Sequence, residues 1–474
     1  MSGASLAQLA PAIAAPMITR LYSPSDFGTF AFVLATFGLL APLACMRYEL
    51  AILLPEDEER AAHVTLLCLT LASATAVLSF LVPAGLWLFS PDARIRAFTT
   101  LLVTMLPAGI AMLSIQLIAD SWSLRTRNYR VQSIATVVQA FVTIGSQTLL
   151  GAKWGSSPYF LVFGTLAGSF AGVLSYLPVI QGQIFPRLKK YLLFAGALRM
   201  ARHYSSFPIY AGPYAVAVQA GARGIFLVLG VLTSTAVVGQ YALAQRVMFL
   251  PVCTLMLAAS QLFFSRAAQK LDDPRMPYMV RTMLIAGPLT FGPMFMLVCF
   301  FGESIFVSIF GPAWQQAGRF AVILAVPSMA KSLTVWLERV YDIRGRQRLA
   351  LILETSYGVI ALATTYIALR TSGDAEIALE TYAVVTVIYH AILLLSSLWV
   401  AKFDLRMGGE FLTVTIAMSL FMIAGDQCFR WLDAATLVRF LGDVLLALPI
   451  IAAGAWIASR RLGEKRPPSG AISF

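Results

Sequence analysis

The chain has 474 residues, of which 59% are hydrophobic and only 12% charged, and its mean hydropathy is +0.78. A soluble protein of this length carries about a quarter charged residues, so an aqueous globular fold is excluded. The formal charge of +12 comes from basic residues clustered in short stretches between apolar runs, a pattern that marks membrane topology and gives no footing to a nucleic-acid reading.

Apolar runs of about 20 residues recur along the chain, each long enough to cross a hydrocarbon core. They do not alternate polar with apolar residues as membrane strands would, so the expected fold class is an all-α polytopic membrane protein. The opening MSGASLAQLAPAIAAPMITRL lacks the basic n-region of a cleaved leader and is expected to be a short first span. Spans are predicted near 4–21, 27–46, 63–89, 97–119, 131–151 and 157–180, forming an N-terminal six-helix lobe over residues 1–181. A polar, basic connector follows at 182–207. The second six-helix lobe, 208–402, is predicted to hold spans near 208–232, 236–263, 281–302, 318–337, 348–369 and 378–401. Two accessory helices (403–459) and a basic tail (460–474) complete a count of about 14 transmembrane helices.

An even count places both termini on one face. With the termini in the cytoplasm, the inside segments carry about 24 Lys and Arg and the outside segments about 8, the bias that the positive-inside rule demands. No loop is long enough to form an independent soluble domain. Two short matches recur in span order. Gly28-Thr29-Phe30-Ala31 pairs with Gly239-Gln240-Tyr241-Ala242, and Leu124-Arg125-Thr126-Arg127-Asn128 with Ile343-Arg344-Gly345-Arg346-Gln347. An even number of spans separates the copies, so the lobes are expected to be parallel, pseudo-symmetric repeats about an axis along the membrane normal.

No enzyme signature is present: there is no GxxxxGK[ST] loop, no HExxH and no paired His/Cys spacing, so no catalytic residue, metal or cofactor is assigned. The five cysteines read as small buried hydrophobes, and His63, His203 and His390 are far apart in sequence. Charges inside spans tend to face a cavity or a partner because lipid penalises them. The cations Arg20, Arg47, Arg223, Arg246 and Lys331 are therefore the candidate substrate-binding set, since a planar guanidinium matches phosphate oxygens. Arg20 and Arg47, at helix ends, serve equally well as topological anchors. The acids Asp120, Glu338, Asp342, Glu354 and Asp443 are read as structural pairing groups rather than as a coupling-ion site. Among the span-embedded glutamines, Gln8, Gln219 and Gln245 are candidates for a polar sugar path, with helix-to-helix hydrogen bonding as the alternative for each.

Three stretches resemble a known family. TRLYSPSDFGTFAFVLATFGLLAPLACMRYELAILLPEDEERA is similar to the first two spans of bacterial polysaccharide-export flippases. YSSFPIYAGPYAVAVQAGARGIFLVLGVLTSTAVVGQYALAQRVMFLP is similar to the opening of their second lobe. FGESIFVSIFGPAWQQAGRFAVILAVPSM resembles their Phe-Gly…Trp…Ala-Gly element. The family is the oligosaccharide (O-antigen type) flippases of the multidrug/oligosaccharidyl-lipid/polysaccharide exporter superfamily. The resemblance implies alternating access in a V-shaped pair of lobes and an undecaprenyl-pyrophosphate-linked oligosaccharide as substrate. It further implies cavity-facing cations on spans one, two, seven and eight, where Arg20, Arg47, Arg223 and Arg246 stand. The short first span departs from the family pattern around Arg20. Implied partners are membrane lipids, a polysaccharide polymerase and a chain-length regulator, in the bacterial inner membrane. Two readings compete with this one: a drug/cation antiporter of the same superfamily, which would favour acids in the first lobe, and a membrane-embedded glycan polymerase or ligase, which would need a larger outside loop.

Overall fold

The computed structural model describes residues 10–11, 13–89, 93–191, 193–248, 260, 263, 267, 273, 275–432 and 435–463. Most of these residues are helical and none lies in a strand. In order, the helices are α1 (Ala15–Leu21), α2 (Pro24–Leu40), α3 (Glu58–Leu78), α4 (Leu81–Phe89), α5 (Ala93–Arg125), α6 (Tyr129–Trp154), α7 (Pro158–Ser175), α8 (Phe185–Lys190), α9 (Phe194–His203) and α10 (Gly212–Leu232). They continue with α11 (235–248), α12 (Arg275–Phe310), α13 (Gln315–Thr334), α14 (Gln347–Ser372), α15 (Ala375–Ala401), α16 (Arg406–Trp431) and α17 (Thr436–Gly463).

Among the described residues twelve segments are long and apolar enough to cross a membrane. The two further expected spans, 4–21 and 236–263, fall partly outside the described residues. Large apolar side chains face outward all along these segments; Val77, for example, is 67% exposed and Leu149 71%. Lipid, not water, is the solvent for such a surface. Trp154, Trp399, Trp431 and Trp456 lie exposed toward helix ends, where an amphipathic ring meets the headgroup layer.

Local chemistry sets the helix boundaries. α2 starts at Pro24 because the Ser23 side chain accepts a hydrogen bond from the Asp26 N–H, and Pro24 lacks an N–H that would need a partner. It stops at Leu40, short of the expected 46, because Pro42 can neither donate to the helix ladder nor clear the preceding turn. Two short 3-10 segments follow, with Met46 (φ 49°) and Arg47 (φ 66°) between them in the left-handed region. Asp57 caps α3 and Asp374 caps α15 by the same device as Ser23. The basic connector is largely helical: α9 lies on α3, with Gly196 against the His63 ring and Ala197 buried.

The chain forms two compact units, Met1–Ala242 and Leu243–Phe474. In the first, a core of Cys45, Tyr48, Val64, Cys68, Trp122 and Tyr176 joins α3, α5 and the end of α7, while α6 pairs with α7 and α10 packs on α2. In the second, Phe263, Val280, Trp336, Leu337, Tyr341 and Leu393 form the core. There α12 packs against α13, α16 and α17, and α15 against α13 and α14. The two accessory helices are thus anchored on α12. Arg281 forks onto Glu410 through two 2.6 Å bonds, and Asp426 is held by Arg430 (2.7 Å) and Arg439 (2.6 Å).

The repeat is visible in the first unit as a reciprocal contact. A Cβ added to Gly28 would lie 1.8 Å from the Thr235 carbonyl oxygen, and one added to Gly239 would lie 1.9 Å from that of Pro24. Residues 24 and 28 relate to 235 and 239 by the same offset, so the contact is self-complementary, as a two-fold relation between α2 and α11 requires. Ser25 and Thr235 close it with a 2.6 Å hydroxyl bond. The second sequence match is displaced by one residue. The left-handed residue that ends the helix is Arg127 in one copy (φ 56°) and Gly345 in the other (φ 65°). Each is followed by an equivalent N–H, donating from Asn128 to the Ser123 carbonyl and from Arg346 to that of Tyr341. Turn geometry, not the Arg-x-Arg pattern, therefore sets the structural register.

Candidate functional site

Arg223 is the most informative of the five candidate cations. It lies on α10 and reaches across to α2. Its guanidinium occupies the space a side chain at residue 38 would fill, since a Cβ on Gly38 would come within 2.2 Å of Nε. Nε donates to Gln219 Oε1 and Nη1 to the Leu34 carbonyl, both at 3.4 Å. No carboxylate pairs with it among the described residues. Charge-assisted bonds run at about 2.7–2.9 Å, so these contacts are loose, and a guanidinium with five donors keeps capacity for an anion. Gln219, expected on the polar path, thus acts as the positioning partner of Arg223.

Arg47 is differently employed. Its left-handed turn points Nη1 at Glu49, 3.5 Å away, and the Glu49 side chain is only 4% exposed. Sequence reasoning missed this acid because it is sought at helical spacing, whereas the chain there is not a regular helix. Arg20 ends α1 with its side chain exposed. In the second unit Arg246 lies half-buried on α11, with no hydrogen bond or ion pair to a described residue, and Gln245 beside it is also half-buried. Lys331 is half-buried on α13, close enough to Glu338 and His390 to act on them electrostatically. Gln8 lies outside the described residues. Arg20, Arg47 and Arg223 belong to the first unit, Arg246 and Lys331 to the second.

Several other polar groups within spans satisfy one another. Gln116 donates to Gln139 (3.2 Å) and the Ser169 carbonyl (3.0 Å), tying α5 to α6 and α7. Tyr176 donates to Asp120, Tyr389 to Glu354 at 2.5 Å, and Thr334 bonds His390 Nδ1 at 2.9 Å. For these residues helix-to-helix bonding is the role the geometry shows.

A family model described as polysaccharide biosynthesis protein matches residues 17–319. The chain belongs to that family. Among solved structures it is similar to the lipid II flippase MurJ in an inward closed conformation, with 14% identity, 97% of this chain and 100% of the other covered, and a TM-score of 0.71. It is also similar to an inward-facing multidrug resistance MATE family transporter of the MOP superfamily, with 13% identity, 83% and 94% coverage, and a TM-score of 0.58. No curated protein matches it. Twelve candidate spans and this family make the chain a multi-pass membrane protein of polysaccharide biosynthesis, with the fold shared by these two solved structures.

Proposed function

We propose that this family member flips an undecaprenyl-pyrophosphate-linked oligosaccharide from the cytoplasmic to the periplasmic leaflet of the bacterial inner membrane by alternating access. The observation that carries the reading is Arg223, a cation inside a span with a glycine-cleared seat, two loose contacts and no acidic partner among the described residues. Holding an unpaired charge there is costly, and a pyrophosphate headgroup offsets that cost when it arrives. The five cations are proposed to share this task, with Gln8, Gln219 and Gln245 along the sugar path. A flippase needs only that its two states bind the substrate differently. Both termini lie in the cytoplasm, and a polymerase and chain-length regulator receive the product.

The test is deletion of the gene in its native host, complemented with wild type or Arg223→Ala, followed by analysis of lipid-linked and surface glycans. Loss of surface polysaccharide with the undecaprenyl-linked unit trapped on the cytoplasmic side supports the proposal. Unchanged glycans with altered drug sensitivity point to an antiporter, and failed sugar transfer with normal translocation points to an enzyme.

A further inference from the structure

A second basic site lies away from Arg223, at the turn between α5 and α6. Thr126, Arg127, Asn128, Tyr129, Arg130 and Gln183 line a depression of about 550 Å³. Thr126 donates to Gln183 at 3.3 Å and so joins the turn to the segment leading into α8. The neighbouring arginines are already committed. Arg125 donates to the carbonyls of Ile52, Pro55, Glu56 and Asp57, and Arg187 pairs with Glu58 at 2.5 Å. Arg127 and Arg130 are exposed and pair with no described residue. The 26-residue α6 starts at the same place without a side-chain cap, leaving its first N–H groups for an anion. From residue 121 to residue 271 the chain carries thirteen Lys and Arg and not one Asp or Glu, so the pocket's own walls hold no competing acid.

Arg127 has a backbone cost. It sits at φ 56°, a conformation that disfavours any side chain, and the equivalent turn of the second lobe uses Gly345. Strain retained at one copy of a repeat points to a use for the side chain. Location then selects the ligand. One candidate span ends at Arg125 and the next begins at Tyr129, which sets the pocket at the level of lipid phosphates. Exposed Tyr129 lines it, offering apolar surface beside the cations.

We propose that this pocket binds the phosphate of an anionic glycerophospholipid from the surrounding leaflet. Basic side chains at the membrane surface gain about 1 kcal/mol each from anionic lipid, so two arginines confer a preference of roughly tenfold or more over zwitterionic lipid. The experiment is native mass spectrometry of the full-length detergent-purified protein titrated with phosphatidylglycerol or phosphatidylcholine. Wild type is expected to retain phosphatidylglycerol about tenfold better, and the Arg127→Gly/Arg130→Gln variant to lose that preference. Arg127→Gly relieves the left-handed strain, so an unchanged or raised Tm confirms that the variant folds. Retention of the preference by the variant overturns the proposal. So does displacement of the lipid by millimolar inorganic phosphate, which makes this a free-phosphate site, or by undecaprenyl phosphate, which assigns it to the transported substrate.

Discussion

At the scale of single residues, the difference between Arg47 and Arg223 lies in their surroundings. Both are cations expected to face a cavity, yet Arg47 has a buried acid two residues away and Arg223, among the described residues, has a glutamine and a carbonyl. Arg223→Ala is expected to reduce flipping by about 10- to 100-fold, the value of one or two hydrogen bonds to a charged group, measured as glycolipid translocation in reconstituted vesicles. Arg223→Lys should recover only part of it, because an ammonium lacks the planar fork. Arg47→Ala should also destabilise the protein, since it leaves Glu49 buried without its cation. Asp426 makes a purely structural case: its side chain is 2% exposed between Arg430 and Arg439. Asp426→Ala is expected to cost about 3–5 kcal/mol, read as a lowered Tm in detergent.

At the scale of elements, α2 and α11 touch where neither has a side chain to spare. The approach of Gly28 to the Thr235 carbonyl, and of Gly239 to that of Pro24, leaves no room for a methyl group. Gly28→Val is expected to abolish transport while leaving membrane insertion intact, checked by surface glycan and by fractionation. Ser25 and Thr235 share a 2.6 Å bond. In a background without native cysteines, Ser25→Cys with Thr235→Cys should therefore cross-link under oxidation and stop transport, and reduction should restore it. Cross-linking without inhibition would mean that α2 and α11 need not part during the cycle. The sequence match Gly28…Ala31 with Gly239…Ala242 already marked this pair as repeats, but not that the two glycines face each other.

At the scale of the whole molecule, charge bias along the chain predicts orientation. Alkaline phosphatase fused after Gly155 should be active, and the same enzyme fused after Asn128 should be inactive. The reverse pattern would invert the termini and the direction of the proposed transport. Helical class and the recurrence of apolar spans were legible because hydropathy is a property of contiguous residues, which the bilayer reads locally. The unit boundary was less so. Residues 208–232 open the second lobe by sequence, yet α10 packs on α2 within the first compact unit. Helix contacts in a membrane depend on small-residue surfaces such as Gly38, which hydropathy does not register.

The sequence by itself determined that this is a many-spanned helical membrane protein with basic loops, repeated halves and too little polar surface for any other class. Only the tertiary structure decided what each charge meets. Arg223 finds Leu34 across 189 residues of chain and Thr235 finds Ser25 across 210, while Arg47 finds Glu49 through a left-handed turn that no helical spacing predicts. The physical reason is range: the bilayer selects apolar segments one at a time, but the partner of a buried charge is fixed only when distant helices pack.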